Sequence, residues 1–489
     1  MPHESVNRRG FLATTAAGAA LAAAPAVAAS GANANNRLRL GFIGVGGRAQ
    51  THINSALALQ KEENLVEIAT ICDVFNRYRD TTAKHVETES GKRPKTTGDY
   101  QEILADDSID AVVISTPDHW HAKQTIDALN AGKHVYCEKP MTHSVEEALA
   151  VHQAWKDSGQ VMQVGVQSTS LPVWEKINER ICSGDLGKVM QYQTEFFRNS
   201  DMGQWRYYNL AQDMTPDNID WEMFLGTKYG LAPEMPFDRA KFAQWRCYWD
   251  FGSGMFTDLF VHRTTSMLKA TGLRFPGRVT GAGGIYLEYD GRTVPDVATV
   301  VADFNEGVQG LVTATMCCGE TPIKQLIRGH SGSVVLGVGE EFTGYDFVAE
   351  RPQVHHERDL KSERVEVGGV NNSSKVHFKN FTTSAIAGDP SAVNCSPELG
   401  AAAMTIVKLG SRSYREGKVF HFDQESMTFS DGNSSWAQKW EERSADRGEC
   451  SHVAGWAAEP ADRGSKLFPR PYQKLEGPWI DGKDPAATT

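Results

Sequence analysis

Gly41-Phe42-Ile43-Gly44-Val45-Gly46-Gly47-Arg48-Ala49 stands between a short apolar run, residues 40–45, and a helix-like stretch, residues 49–60. Apolar runs of the same kind recur at 65–72, 111–116, 134–137 and 161–166, with helical spacing at 122–130 and 145–158. Nearly continuous apolar strands separated by helices are the pattern of a parallel sheet covered on both faces. Gly132, after Ala128-Leu129-Asn130-Ala131, suits a helix C-cap leading into the next strand. Residues 37–165 are therefore expected to form an α/β domain with a doubly wound parallel sheet.

The quoted turn reads G-x-G-x-x-A. Gly44 permits the tight turn, Gly46 lets backbone approach a pyrophosphate, Gly47 and Arg48 open the helix, and Ala49 lets helix and strand pack closely. The helix start presents free N–H groups and a partial positive charge to phosphates. A glycine triplet alone is weak in a chain with 45 Gly. The second run, however, ends in Ile71-Cys72-Asp73, which places a carboxylate where adenosine ribose hydroxyls would donate to it. The polar insertion Gln60-Lys61-Glu62-Glu63-Asn64 accounts for a longer separation from Gly44 than usual. The acid favours NAD and repels a 2′-phosphate; Arg48 and Arg77 are the side chains that would offset that repulsion and admit NADP.

Ser115-Thr116-Pro117-Asp118-His119-Trp120-His121 follows the third of the apolar runs and Glu138-Lys139-Pro140 the fourth. Both lie at the carboxyl edge of the sheet, where doubly wound proteins bind ligands. Thr116, Pro117, His121 and Glu138 are candidate cofactor contacts, and Lys139 is placed to stabilise an alkoxide during hydride transfer. His121 equally suits a helix cap, and Trp120 either walls the nicotinamide or fills core. Asp258 and His262, in Thr257-Asp258-Leu259-Phe260-Val261-His262 after a glycine-rich stretch, would share a helix face. That suits a histidine base with a carboxylate that orients it or binds substrate, although such spacing arises by chance in a chain with 61 acids and 15 histidines. Trp120, Gln167 and Arg246 are candidate substrate contacts, with Trp205, Trp245 and Trp249 as stacking surfaces or packing.

After Gln167 the pattern changes to strand-like runs at 189–197, 281–289, 298–304, 310–315 and 332–337, joined by glycine-rich turns. This predicts an α+β domain over 166–425 with a largely antiparallel open sheet, a long amphipathic helix over 398–416, and an irregular tail over 426–489. The chain has 489 residues, 50 Lys+Arg and 61 Asp+Glu, a formal charge of -11. An acidic chain lacks the basic excess of a nucleic-acid binder. Hydrophobic content of 40% is that of an ordinary globular protein. None of the eight cysteines makes a Cys-x-x-Cys pair and no Cys/His spacing matches a zinc site, so neither a metal site nor a disulfide framework is expected. Cys72 and Cys137 read as core.

Residues 1–28 stand apart. Arg8-Arg9-Gly10-Phe11-Leu12, an Ala-rich stretch and small residues up to Ala28 form the pattern of a cleavable twin-arginine export signal. It implies the twin-arginine machinery as a partner, a periplasmic or otherwise exported location and no stable membrane anchor.

Taken together, GFIGVGGRA, ICD, STPDHWH, CEKP and the DLFVH helix resemble the Gfo/Idh/MocA family, named after glucose-fructose oxidoreductase and inositol dehydrogenase. The resemblance covers about residues 37–425. It implies a Rossmann domain binding NAD(P), an α+β domain whose open sheet mediates homo-oligomerisation, and Lys139, Asp258 and His262 in the catalytic positions. It further implies an oxidoreductase acting on a sugar or polyol hydroxyl, and export implies a tightly held cofactor. The alternatives are a redox-assisted glycosidase of the family 109 kind and, from another class, a non-catalytic sugar-binding protein. The insertion over 205–246 and the tail depart from smaller family members.

Overall fold

The computed structural model describes residues 37–337, 342–350 and 360–432. The export pattern, Cys450 and the tail beyond residue 432 lie outside the described residues.

The N-terminal sheet contains β1 (Leu38–Ile43), β2 (Val66–Cys72), β3 (Lys95–Thr97), β4 (Ala111–Ile114), β5 (His134–Glu138) and β6 (Met162–Gly165). Their spatial order is β3-β2-β1-β4-β5-β6 and every neighbouring pair is parallel. β2 and β4 are buried along their whole length, as continuous apolar runs require. The crossovers carry α1 (Gly47–Glu63), α2 (Asn76–Ser90), α3 (Gln101–Leu104), α4 (Asp118–Asn130) and α5 (Val145–Ser158). A capping box between Ser144 and Glu147 starts α5, and Gly159 in the left-handed region ends it. The strand order reverses between β1 and β4, which opens a crevice at the carboxyl ends of both strands.

Three elements of this domain differ from expectation. α4 begins at Asp118, four residues earlier than its apolar spacing suggests, because Pro117 is extended and an acid suits the first helical turn. The short edge strand β3 and the polar α2 gave no apolar signal.

After α6 (Val173–Cys182), the chain builds a ten-stranded sheet from β7 (Val189–Phe197), β8 (Arg278–Gly284), β9 (Val297–Phe304), β10 (Val308–Thr315), β11 (Gln325–Gly329), β12 (Gly332–Gly337), β13 (Gly344–Ala349), β14 (Glu363–Glu366), β15 (Phe420–Asp423) and β16 (Thr428–Asp431). The order is β14-β13-β12-β11-β7-β10-β9-β8-β15-β16. β7 and β10 pair in parallel and the other registered pairs are antiparallel. The strand expected over 281–289 ends at Gly284, because the Asp296 carboxylate takes the backbone N–H groups of Tyr286, Leu287 and Glu288. β16 lies in what the sequence suggested was tail, and extends the sheet edge.

Between β7 and β8 lie α7 (Trp221–Leu225), α8 (Arg239–Ala243) and a wide helical turn of π type, Phe256–Phe260, that runs into α9 (Val261–Thr271). Two late helices tie the domains together. α10 (Ser373–Ala387) returns to pack on α1 and β1, and α11 (Pro397–Glu416) packs on α5, α9 and β8. A single apolar core consequently runs from Val112 and Cys137 in the first sheet to Val300 and Val312 in the second. Cys72 and Cys137 are buried, as their runs predict.

Candidate active site

The glycine turn opens the site. Gly44 has φ +77°, and a Cβ there would stand 2.8 Å from the backbone nitrogen of Thr116, so the position demands glycine. No acid lies in the first turn of α1, and Gly46 offers no side-chain cap, so the helix start keeps its free N–H groups for an anion. Asp73, only 8% exposed, accepts from Val45 N at 2.7 Å through Oδ2 and from Phe75 N at 2.8 Å through Oδ1. Burial pushes its carboxyl up to about 6 against the pull of those N–H groups and Arg79. The two arginines expected to offset Asp73 are engaged elsewhere. Arg48 donates to Glu138 Oε1 at 2.7 Å and reaches Gln167 at 3.4 Å, while Arg77 donates to Asp213 at 2.7 Å.

Two adjoining cavities follow the sheet edge. One, of about 1060 Å³, is lined by Gly44, Gly46, Gly47, Asp73, Thr116, Pro117 and Trp120 on the first-domain side. The other, of about 1270 Å³, gathers Lys139, Asp258, His262, Gln167, Glu138 and Asp118. Arg48, Thr116, Tyr208, Trp245 and Arg246 face both.

In the second cavity Lys139 Nζ donates to Asp258 Oδ1 at 2.6 Å and to its backbone carbonyl at 2.9 Å. Arg246 Nε donates to the same Oδ1 at 3.0 Å and Trp205 Nε1 to Oδ2 at 2.9 Å. Burial would raise the Asp258 carboxyl, but Lys139 and Arg246 hold it well below the usual carboxylate range. Burial and the neighbouring Lys139 push His262 well below its ordinary value, so its imidazole is neutral. Among the described residues no hydrogen bond joins that ring to Asp258. Asp258 and His262 line the same cavity and the Asp258 charge acts on the ring, while the Asp258 carboxylate is hydrogen-bonded to Lys139, Arg246 and Trp205.

Other candidates are redistributed. His121 lies behind the cavities, with Nδ1 at 2.6 Å from the Pro140 carbonyl and Nε2 at 2.8 Å from that of Thr116. It joins the two loops and lines neither cavity. Glu138 spends Oε1 on Arg48 and on His52 at 2.6 Å, so it fixes Arg48 at the substrate cavity. Trp205 is fully buried and positions Asp258, and Trp249 donates to the Thr293 carbonyl away from both cavities; neither offers a stacking face to a sugar. Trp245 lines both cavities, with the Arg246 guanidinium 4.1 Å from its ring centre.

Comparison with known proteins agrees with this geometry. The oxidoreductase family described as an NAD-binding Rossmann fold matches residues 38–166, and the GFO/IDH/MocA C-terminal domain matches residues 225–335. The chain carries both domains of a Gfo/Idh/MocA oxidoreductase. Among curated relatives, an alpha-N-acetylgalactosaminidase of Shewanella oneidensis is 40% identical over 116 residues, and a glycosyl hydrolase family 109 protein of Shewanella sp. MR-4 is 39% identical over 114. Each match spans 22% of this chain and 24% of the relative. Two solved structures share the fold. Levoglucosan dehydrogenase in complex with NADH and levoglucosan has TM-score 0.57 and 20% identity, covering 81% of this chain and 100% of the other. The WlbA dehydrogenase from Bordetella pertussis with NADH and UDP-GlcNAcA has TM-score 0.57 and 18% identity, covering 79% and 99%.

The inserted segment of this Gfo/Idh/MocA chain roofs the cofactor cavity. Ile219 bridges Phe75, Asn76 N donates to the Asn218 carbonyl, and Asp220 N donates to that of Val74. Phe75, Ile219, Phe224, Phe242 and Phe251 form a small separate core. His119 Nε2 and Trp120 Nε1 both approach the Phe224 carbonyl, at 2.9 and 2.8 Å. Tyr78, Tyr100 and Phe242 at the cofactor cavity, and Asp118, Arg198 and Tyr208 at the substrate cavity, were not singled out from sequence. Asp118 alone had a signal, its place in the segment after β4. The glycine turn, Asp73 and the roofed cleft fit a dinucleotide, whose nicotinamide would lie toward Lys139 and His262.

Proposed function

We propose that the protein is an NAD-dependent oxidoreductase that transfers a hydride between a sugar or polyol hydroxyl and a firmly retained dinucleotide. The observation that carries this reading is the placement of Lys139, bound by Asp258, and neutral His262 on the cavity that adjoins the glycine turn. The bound nicotinamide supplies the hydride acceptor. His262 takes the hydroxyl proton on its neutral imidazole, and the Lys139 ammonium donates to the same oxygen as negative charge develops there. Asp258 holds the ammonium in place, while Trp245 and Tyr208 wall the sugar.

We read residues 1–28 as a twin-arginine signal and the protein as exported. Free dinucleotide is scarce outside the cytoplasm, which favours a cofactor that is recycled in place, and the roof over the cofactor cavity suits such retention. The outer face of the ten-stranded sheet is the surface we assign to homo-oligomerisation. A second reading, a redox-neutral glycosidase, is favoured by the 39–40% identity of about a fifth of the chain to the family 109 protein and the alpha-N-acetylgalactosaminidase.

The test is to purify the protein, extract any dinucleotide and incubate the holoprotein with sugars and glycosides. Net oxidised product with reduced dinucleotide supports the oxidoreductase. Released aglycone without net redox change supports the glycosidase, and binding without conversion overturns both.

A further inference from the structure

Three carboxylates face the substrate cavity, Asp118, Glu138 and Asp258. Two of them are consumed by the protein. Asp258 accepts from Lys139, Arg246 and Trp205, and Glu138 from Arg48, His52 and the backbone N–H of Lys139. Asp118 differs. It is 3% exposed, makes no ion pair among the described residues, and uses only Oδ2, which accepts from Thr257 Oγ1 at 2.9 Å. Its Oδ1 has no described partner.

The placement of that oxygen is built. Asp118 is the first residue of α4, where the helix start favours a negative side chain. Thr257 Oγ1 accepts from Ser253 N at 3.0 Å, and Ser253 Oγ accepts from the buried Lys408 Nζ at 2.6 Å, so the anchor of Oδ2 is fixed from behind by α11. A Cβ at Gly252 would lie 3.2 Å from Oδ2 and 3.1 Å from the Trp245 ring; the glycine makes room for both walls of the cavity. With Oδ2 held by Thr257, Oδ1 is the carboxylate oxygen left for a ligand hydroxyl in the cavity that Asp118 lines. Asp118 lines the substrate cavity and not the cofactor cavity.

We propose that Asp118 is a specificity-determining residue, whose Oδ1 accepts a hydrogen bond from a sugar hydroxyl other than the one oxidised beside Lys139 and His262. The proposal rests on the sugar-oxidoreductase reading and names what that substrate must present: a second, neutral hydroxyl donor near the reacting carbon. An anionic substituent at that position would be repelled. Asp118 is faced by Arg246 from the insertion, Asp258 from the wide turn, Lys139 from the loop after β5 and Lys408 from α11. Burial outweighs the cations and raises its carboxyl to about 7, so the accepting, ionised form gains population as pH rises through neutrality.

The experiment uses holoprotein, the sugar turned over in the panel above and its monodeoxy analogues, with Asp118→Asn and Asp118→Ala checked for retained dinucleotide. One deoxy analogue is expected to lose about ten- to hundredfold in kcat/KM with the native chain, the size of a hydrogen bond to a charged group. Asp118→Ala should handle that analogue and the parent alike, and should lose the fall in KM across neutral pH. Penalties that simply add, with every deoxy position as costly in Asp118→Ala as in the native chain, overturn the proposal. Calorimetric binding of the parent sugar separates the two claims. Binding that needs Asp118 but leads to no oxidation overturns the oxidoreductase reading alone, whereas binding unchanged in Asp118→Ala overturns the role of Asp118.

Discussion

Lys139 and Asp258 meet at 2.6 Å, joining the loop after β5 to the wide turn before α9. The pair crosses between the domains, and Arg246 from the insertion shares the same carboxylate oxygen. Both bonds of the ammonium go to Asp258, and because Arg246 shares the carboxylate, its single negative charge is divided between two cations from separate segments of chain.

Lys139→Ala should therefore lower kcat by about 10²–10⁴-fold, the usual contribution of a positioned proton donor. Asp258 keeps Arg246 and Trp205, so bound dinucleotide and melting temperature should change little. Steady-state rates alongside extracted dinucleotide check this; unchanged kcat would remove Lys139 from the chemistry.

His262 is neutral because burial and Lys139 oppose its charging. Its proton-accepting form is then fully populated well below the ordinary histidine value of about 6.5. kcat should show no acid limb near that value, the titration of Asp118 appearing in KM instead. An inflection in kcat near 6.5 that vanishes in His262→Gln would contradict the depressed value.

The fold was largely legible because buried parallel strands announce themselves by apolar runs, and five of the six N-terminal strands fall on them. Local signals could not show what distant segments do. The Asp258–His262 spacing put the two on one cavity, but it could not show that Lys139, 119 residues away along the chain, donates to the carboxylate. Asp118 lay in a segment already singled out, yet its importance comes from burial and an unclaimed oxygen. The roof of the cofactor cavity was read as an insertion only, since its apolar residues are scattered between polar ones and cohere only around Phe75.

Cofactor choice follows from where the arginines went. A 2′-phosphate about 5 Å from ionised Asp73 is repelled by about 3 kcal/mol at an effective dielectric of ~20, about a hundredfold in Kd. Asp73→Ser alone should narrow the preference for NAD only in part, because Arg77 stays paired with Asp213. Adding Asp213→Asn frees Arg77 and should narrow it further. Fluorescence titrations with both dinucleotides read the ratio, and a native chain that prefers NADP would refute the assignment.

Phe242 packs between Phe75 and Phe224 in the roof and also faces the cofactor cavity. Replacing a buried Phe by Ala costs roughly 3–5 kcal/mol of packing, here confined to the small core that holds the roof down. Phe242→Ala should release dinucleotide at least about tenfold faster, with Lys139 chemistry intact when cofactor is supplied in excess. Retention through gel filtration equal to that of the native chain would show that the roof does not hold the cofactor.

Acid should destabilise the fold earlier than carboxylate titration alone predicts. His119 and His377 are buried, and burial lowers each to about 4. His377 accepts from Ser170 Oγ at Nδ1 and donates to the Val164 carbonyl, an arrangement that needs the neutral ring. A histidine with a depressed folded value binds its proton more readily when unfolded, so its contribution to stability is present above about 6.5 and is lost as pH falls below it. The loss reaches about 3 kcal/mol for each by pH about 4. His121 works in the opposite sense: burial lowers it, but Cys137 and two carbonyl acceptors raise it overall, so its contribution is full below about 6.5 and fades as pH rises through its raised value. His52, His143 and His262 are depressed as well and add to the acid lability of the histidines, whereas Asp73 and Asp118, raised by burial to about 6 and 7, work in the opposite sense and gain stability as pH falls through those values. Denaturant unfolding of the holoprotein at pH 7, 6 and 5 should therefore show a smaller loss of stability on acidification in His377→Gln than in the native chain. An equal loss in both would mean that the His377 ring does not carry the acid lability.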